Sequence, residues 1–211
     1  MVLPPFIRLF PLPNVVFFPG TALPLHIFEP RYRQMVADAL EGDRLIGMVL
    51  LKEGWEENEN ECPPIHSVGC LGRISHEERL EAGRFNIVLQ GVCTFDVREE
   101  MTDGPYRQAW VRYRNGGAPP PLPPALRQEL ERAMMFHAQR LQVGENLLAI
   151  LQDATEEEWV QMLCFFPPFT VIEKQFLLES ADLTQQCKRL LDLTRLYTLT
   201  LTQKEREEGH A

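Results

Sequence analysis

Apolar residues alternate with polar ones through the first half of the chain and recur at helical spacing through the second. In Phe85-Asn-Ile-Val-Leu and Cys93-Thr-Phe-Asp-Val, every second side chain is apolar, the pattern of a sheet buried on one face. The same reading predicts strands at Phe6–Phe10, Val15–Phe18, Leu23–Phe28, Leu45–Leu51, Val68–Ile74, Phe85–Gln90, Cys93–Arg98 and Ala109–Arg114. Gly91 lies between two of these runs and predicts a bulge or sharp bend within one long strand. Glu81-Ala82-Gly83 predicts a hairpin turn, with Gly83 supplying a positive φ. One helix interrupts the strands: Tyr32, Met35, Val36, Ala39 and Leu40 share a helical face after Pro30.

The change of pattern falls at Asn115-Gly-Gly-Ala-Pro-Pro-Pro-Leu-Pro-Pro124, whose five prolines and two glycines exclude a helix or an inner strand. Beyond it Leu126, Leu130, Ala133, Met134, His137 and Leu141 form a stripe, and a short segment is expected near Asn146–Gln152. Thr155 with Glu158, and Thr170 with Glu173, each fit a capping box that opens a helix. A last helix is expected from about Leu183 to Leu201. The organisation predicted is a β-rich lobe over 1–114, a Pro/Gly-rich linker over 115–124, a helical lobe over 125–202 and a frayed tail over 203–211.

Charge narrows the partners. The net charge is −9, with 12 basic and 16 acidic residues before position 115 and 9 and 14 after it. Such a surface repels phosphate backbones, so nucleic acid is not an expected partner. No apolar run approaches the roughly 20 residues that span a bilayer, and Met1-Val-Leu-Pro-Pro-Phe lacks a basic leader region. No membrane association is expected, and the expected compartment is the cytoplasm. The five cysteines, at 62, 70, 93, 164 and 187, are odd in number with no Cys-x-x-Cys pair; buried thiols are expected rather than disulfides. Cys62 and Cys70 flank His66 but lack a fourth ligand, so no metal or other cofactor is expected.

Candidate chemistry fails residue by residue. None of the four lysines, at 52, 174, 188 and 204, follows a glycine, so no phosphate-binding loop is present. The only serines are Ser67, Ser75 and Ser180, none in a nucleophile-elbow context. Ser75-His76-Glu77 has suggestive residue types, but chain neighbours rarely converge as a triad, and a turn is the expected setting. His26, set between Leu25 and Ile27, reads as a hydrogen-bonded structural histidine, and His137 as packing. Glu156-Glu157-Glu158 suits the positive end of a helix. No catalytic residue is assigned.

The run Phe10-Pro-Leu-Pro-Asn-Val-Val-Phe-Phe-Pro-Gly-Thr-Ala-Leu-Pro-Leu-His-Ile-Phe-Glu-Pro-Arg-Tyr-Arg33 resembles the opening of the Lon N-terminal domain. Gly69-Cys-Leu-Gly-Arg-Ile74, Gly83-Arg-Phe-Asn-Ile-Val-Leu-Gln-Gly-Val92 and Glu173-Lys-Gln-Phe-Leu-Leu-Glu179 resemble later family motifs in the same order. Cys93-Thr94-Phe95 stands where that family usually has an arginine-containing strand. The resemblance implies an α+β fold, a β-rich pseudo-barrel lobe with one helix followed by a C-terminal helical bundle. It also implies a module that captures polypeptides, without the Lon ATPase or its Ser-Lys peptidase. Unfolded or extended polypeptides are the expected partners, with a protease or regulatory protein as another. The alternatives are an assembly or regulatory subunit for a single partner, or a small hydrolase with an unrecognised site. The expected peptide surface comprises Phe17, Phe18, Pro19, Phe28, Glu29, Arg31 and Tyr32, although at least half of its aromatic and proline residues must be core.

Overall fold

The computed structural model describes residues 3–54, 62–114, 121–141, 154–166 and 169–208, with 135–141 and 201–208 described by backbone alone. The chain divides into two compact units: residues 1–118 with 169–178, and residues 119–168 with 179–211. The Pro/Gly-rich stretch at 115–120, residues 55–61, the expected segment near Asn146–Gln152 and the side chain of His137 lie outside the described residues.

The first unit is built on six strands: β1 Phe6–Leu12, β2 Ala22–Ile27, β3 Leu45–Leu51, β4 Ile65–Arg79, β5 Phe85–Met101 and β6 Gln108–Tyr113. Their order is β2-β5-β4-β3-β1-β6, and β6 also pairs with β5. Five strands therefore close a ring, while β2 hangs on the first half of β5 as an edge. Only β1 and β3 run parallel; the other pairs are antiparallel. Inside the ring sit Ile7, Leu9, Leu45, Val49, Leu71, Phe95 and Val111, all buried. Phe95 fills the centre because glycine faces it. A Cβ on Gly69 would stand 2.6 Å from the Phe95 ring and 2.4 Å from the Met48 carbonyl oxygen.

The two expected strands around Gly91 are one strand, β5. The bulge lies where pairing jumps from Leu71–Cys93 to Gly72–Gly91. The turn before β5 uses positive φ at both Ala82 and Gly83. Val15–Phe18, expected as a strand, is irregular chain instead; it meets β5 where the Phe18 carbonyl seats against Gly91 rather than along a ladder. Ser75-His76-Glu77 lies within β4 rather than in a turn. On the outer face Asp96 gathers Arg112 at 3.1 Å, Arg114 at 2.7 Å and Arg98 at 3.7 Å. Burial alone would raise the Asp96 carboxyl, but hydrogen bonds from Arg114 and Arg112 hold it below its ordinary value.

Helix α1, Pro30–Glu41, has Pro in its first turn and buries Tyr32, Met35, Val36 and Ala39 of the stripe the spacing predicts, while Leu40 is half-buried. Among the described residues, the helices after the proline run are α2 Pro124–Leu141, α3 Glu156–Phe165, α4 Val171–Leu178 and α5 Leu183–Glu208. Both capping boxes form: Thr155 and Glu158 exchange bonds at 2.9 and 3.3 Å, and Thr170 and Glu173 at 2.7 and 3.3 Å.

Two boundaries differ from expectation. Residues 125–202 do not stay together, since α4 groups with the strands. There Gln175, 2% exposed, donates from Nε2 to the Val68 carbonyl at 3.1 Å, a buried bond that ties the helix to β4. The helical pattern also continues past Leu201 to Glu208, so most of the expected tail is helix; Thr198 and Thr200 bond back to carbonyls four residues earlier rather than breaking it.

In the second unit, Leu130 of α2 and Leu190 and Leu191 of α5 are buried. Gln161 and Gln186 satisfy one another through paired amides at 3.0 and 3.3 Å. Arg127 bonds Glu131 and Glu156, each at 3.0 Å, and lies over the Trp159 ring.

Candidate peptide-binding site

The signature from Phe10 to Arg33 folds into a buried half and an exposed half. In the buried half, Phe17 and Phe18 are 1% and 0% exposed, and Pro19 is buried as well. The Phe18 carbonyl lies over the β5 bulge, so a Cβ on Gly91 would meet it at 2.1 Å. The turn is then closed by backbone. Gly20 N–H donates to the Gly91 carbonyl at 3.0 Å, and Gly91 N–H donates to the Thr21 carbonyl at 2.9 Å. The Thr21 hydroxyl adds a bond to the Phe18 carbonyl at 2.7 Å. The Gly20 amide is thus spent on β5, and Phe17, Phe18 and Pro19 are core rather than ligand surface.

Tyr32 is also core. Its ring packs 4.3 Å from that of Phe10, and burial raises its hydroxyl above the ordinary pKa. Arg31 lies over the outer face of that ring at 4.5 Å and pairs with Glu29 at 2.9 Å. Glu29 occupies the N-cap position without a side-chain capping bond, because its carboxylate turns to Arg31. Arg33 reaches the Ala82 carbonyl and clasps the turn before β5.

Phe28 is different. It is 61% exposed at the end of β2, with its ring stacked 6.1 Å from His26. His26 points away from Leu25 and Ile27, as alternation requires, and its Nδ1 lies 2.8 Å from Asn86 Oδ1. Asn86 in turn donates to Glu78 at 2.7 Å. Between this ladder and His76 lies a shallow depression of about 340 Å³ floored by Val88 and walled by Pro24. Of the expected surface, Phe28, Glu29 and Arg31 remain exposed or half-exposed. Pro24 and His26 join them, and sequence reasoning missed both as surface; the proline inside a strand pattern was the available signal, since proline belongs on an edge.

Catalytic geometry is not assembled here. Ser75 Oγ donates to the Val88 carbonyl at 3.1 Å, while Glu77 is held by Arg44, whose hydrogen bond keeps its carboxyl low. The two do not converge on His76. Four of the five cysteines are buried and none is in a disulfide; burial pushes Cys93 up to about 11 and Cys187 up to about 12, leaving weak nucleophiles. Among the described residues, no three His, Cys, Asp or Glu side chains are grouped to hold a metal, and no helix is long and apolar enough to cross a membrane.

The model of the ATP-dependent protease La (LON) substrate-binding domain family matches residues 7–195. The chain belongs to the Lon substrate-binding domain family. It is 30% identical over 109 residues to Lon protease 2 of Myxococcus xanthus, covering 52% of this chain and 13% of that protein. It is 33% identical over 101 residues to the Lon protease of Parabacteroides distasonis, covering 47% and 12%. The chain thus spans about an eighth of the curated Lon relatives it matches. The fold is that of a Lon N-terminal domain protein from Xanthomonas campestris, with TM-score 0.66, 20% identity and 89% and 97% of the two chains covered. The N-terminal domain of a Mycobacterium avium complex Lon protease superposes with TM-score 0.70 at 16% identity, covering 90% and 98%. Only the Lon substrate-binding domain is matched by the family model, not the ATPase or protease portion.

Proposed function

We propose that the chain is a non-catalytic, cytoplasmic polypeptide-recognition module that holds unfolded or extended segments. The observation that carries this reading is Phe28: a large aromatic left 61% exposed, at the end of an edge strand, in a chain of the Lon substrate-binding family. Aromatic side chains supply contact area at low entropy cost and recur among binding hot spots. Glu29 and Arg31 flank it, half-exposed to exposed and already paired, so they add a polar rim. Client capture of this kind needs only micromolar affinity.

The test is fluorescence anisotropy with labelled, reduced and carboxymethylated α-lactalbumin as the unfolded probe, and with the same protein folded as control. Saturable binding of the unfolded form alone is expected, weakened several-fold by Phe28→Ala at unchanged melting temperature. Equal binding of both forms, or none of either, overturns the reading. Incubation with ATP and casein is expected to leave casein intact.

A further inference from the structure

We infer that the free edge of β2 takes up an extended segment of another polypeptide as an added strand, and that this edge is the recognition surface of the module. The inference rests on the recognition role proposed above and names its mode. β2 stands at the end of the sheet order, paired along its whole length with β5 from Ala22–Gln90 to Ile27–Phe85. Gly91 N–H bonds the Thr21 carbonyl, so by strand alternation Leu23, Leu25 and Ile27 turn their backbone groups toward β5. Ala22, Pro24 and His26 turn theirs outward. Pro24 has no N–H to waste, which fits the outward register. The edge offers carbonyls at all three outward positions and N–H groups at Ala22 and His26. Only another extended backbone complements such a row at the roughly 4.8 Å spacing of a sheet.

The same register sets the preferred occupant. Side chains of an added strand fall alternately beside the half-buried Leu23 and Leu25, and beside the exposed Ala22, Pro24 and His26. Phe28 closes one end. A segment alternating apolar with polar or basic residues fits both faces, and basic residues suit a chain of net charge −9. A second copy of this chain fits poorly. Two β2 strands paired about their centres would set Pro24 against Pro24, two donors short, and bring together two bodies each of charge −9.

The experiment uses the full chain and a fluorescent peptide of about ten residues alternating valine with threonine or lysine. Two N-methylated versions block alternate sets of amides. One set faces β2 and its loss is expected to weaken binding about ten-fold or more; the other set faces solvent and its loss is expected to leave affinity within about two-fold. Pro24→Val restores the missing donor and is expected to tighten binding about three-fold or more. Peptide binding that ignores the parity of methylation overturns the edge while leaving polypeptide recognition standing. Failure of both the peptide and the unfolded probe overturns the two together. Sedimentation showing a wild-type dimer abolished by Ala22→Pro assigns the edge to self-pairing and overturns the inference as well.

Discussion

Phe18 and Phe28 lie ten residues apart in one motif, yet the first is sealed beneath β5 and the second stands in solvent at the tip of β2. The Phe18 backbone is clamped by Gly20, Thr21 and Gly91, and its side chain stabilises the unit by roughly 1.5–3 kcal/mol of burial. Phe28 stands 61% exposed, its ring stacked 6.1 Å from that of His26. One motif therefore supplies both core and surface, and the aromatic residues that make it recognisable are mostly those that hold the fold. Searching for function by the most distinctive residues of the signature leads to the core.

The contrast can be broken by substitution. Phe18→Ala is expected to cost about 3–5 kcal/mol in chemical denaturation, whereas Phe28→Ala should stay within about 0.5 kcal/mol. Comparable losses at the two positions would abolish the distinction. Gly91→Ala sharpens it from the other side of the contact, because the new methyl meets the Phe18 carbonyl. A loss of about 3 kcal/mol is expected, together with a disturbed Thr21 amide signal by NMR, and a neutral outcome would mean that the loop does not dock there.

A smaller effect tests whether polar ties on the ring resemble the apolar seal. Asp96 has a folded-state pKa below its ordinary value, so its stabilisation is present above the unfolded value of about 4 and disappears as pH falls through the folded one. Asp96→Asn is expected to cost about 1–2 kcal/mol at neutral pH, with the gap to wild type closing below about pH 4. A gap that does not change with pH would remove the arginine cluster from the account.

Much of the strand pattern was legible because alternation and glycine positions report directly on one-sided burial. The β5 bulge at Gly91 and the turn at Gly83 followed from the needs of the backbone. Val15–Phe18 misled because an apolar run of four looks the same in a strand and in a buried loop. The α4 assignment failed for another reason: its helical period says that a face is buried, but not against which partner. The Gln175 bond to Val68 spans 107 residues and has no local signal. At the site, Phe28 could not be separated from Phe17, Phe18 and Tyr32 by residue type. Tertiary docking makes the separation: the Phe18 carbonyl seats against Gly91 of β5, whereas Phe28 lies one residue past Ile27, the last β2 residue paired with β5.

The return of α4 to the strands also bears on how the protein is made. Chains emerge from the ribosome N-terminus first, and the ring already joins distant partners, Phe6 with Trp110, a topology that folds slowly. Even when β6 has emerged, the Val68 carbonyl still lacks its Gln175 donor, and residues 119–168 of the other unit must be synthesised before that donor arrives. The first unit therefore cannot be completed until fifty residues of the second have been made, and nascent chains halted between residues 118 and 169 carry a ring with an open place for its last helix.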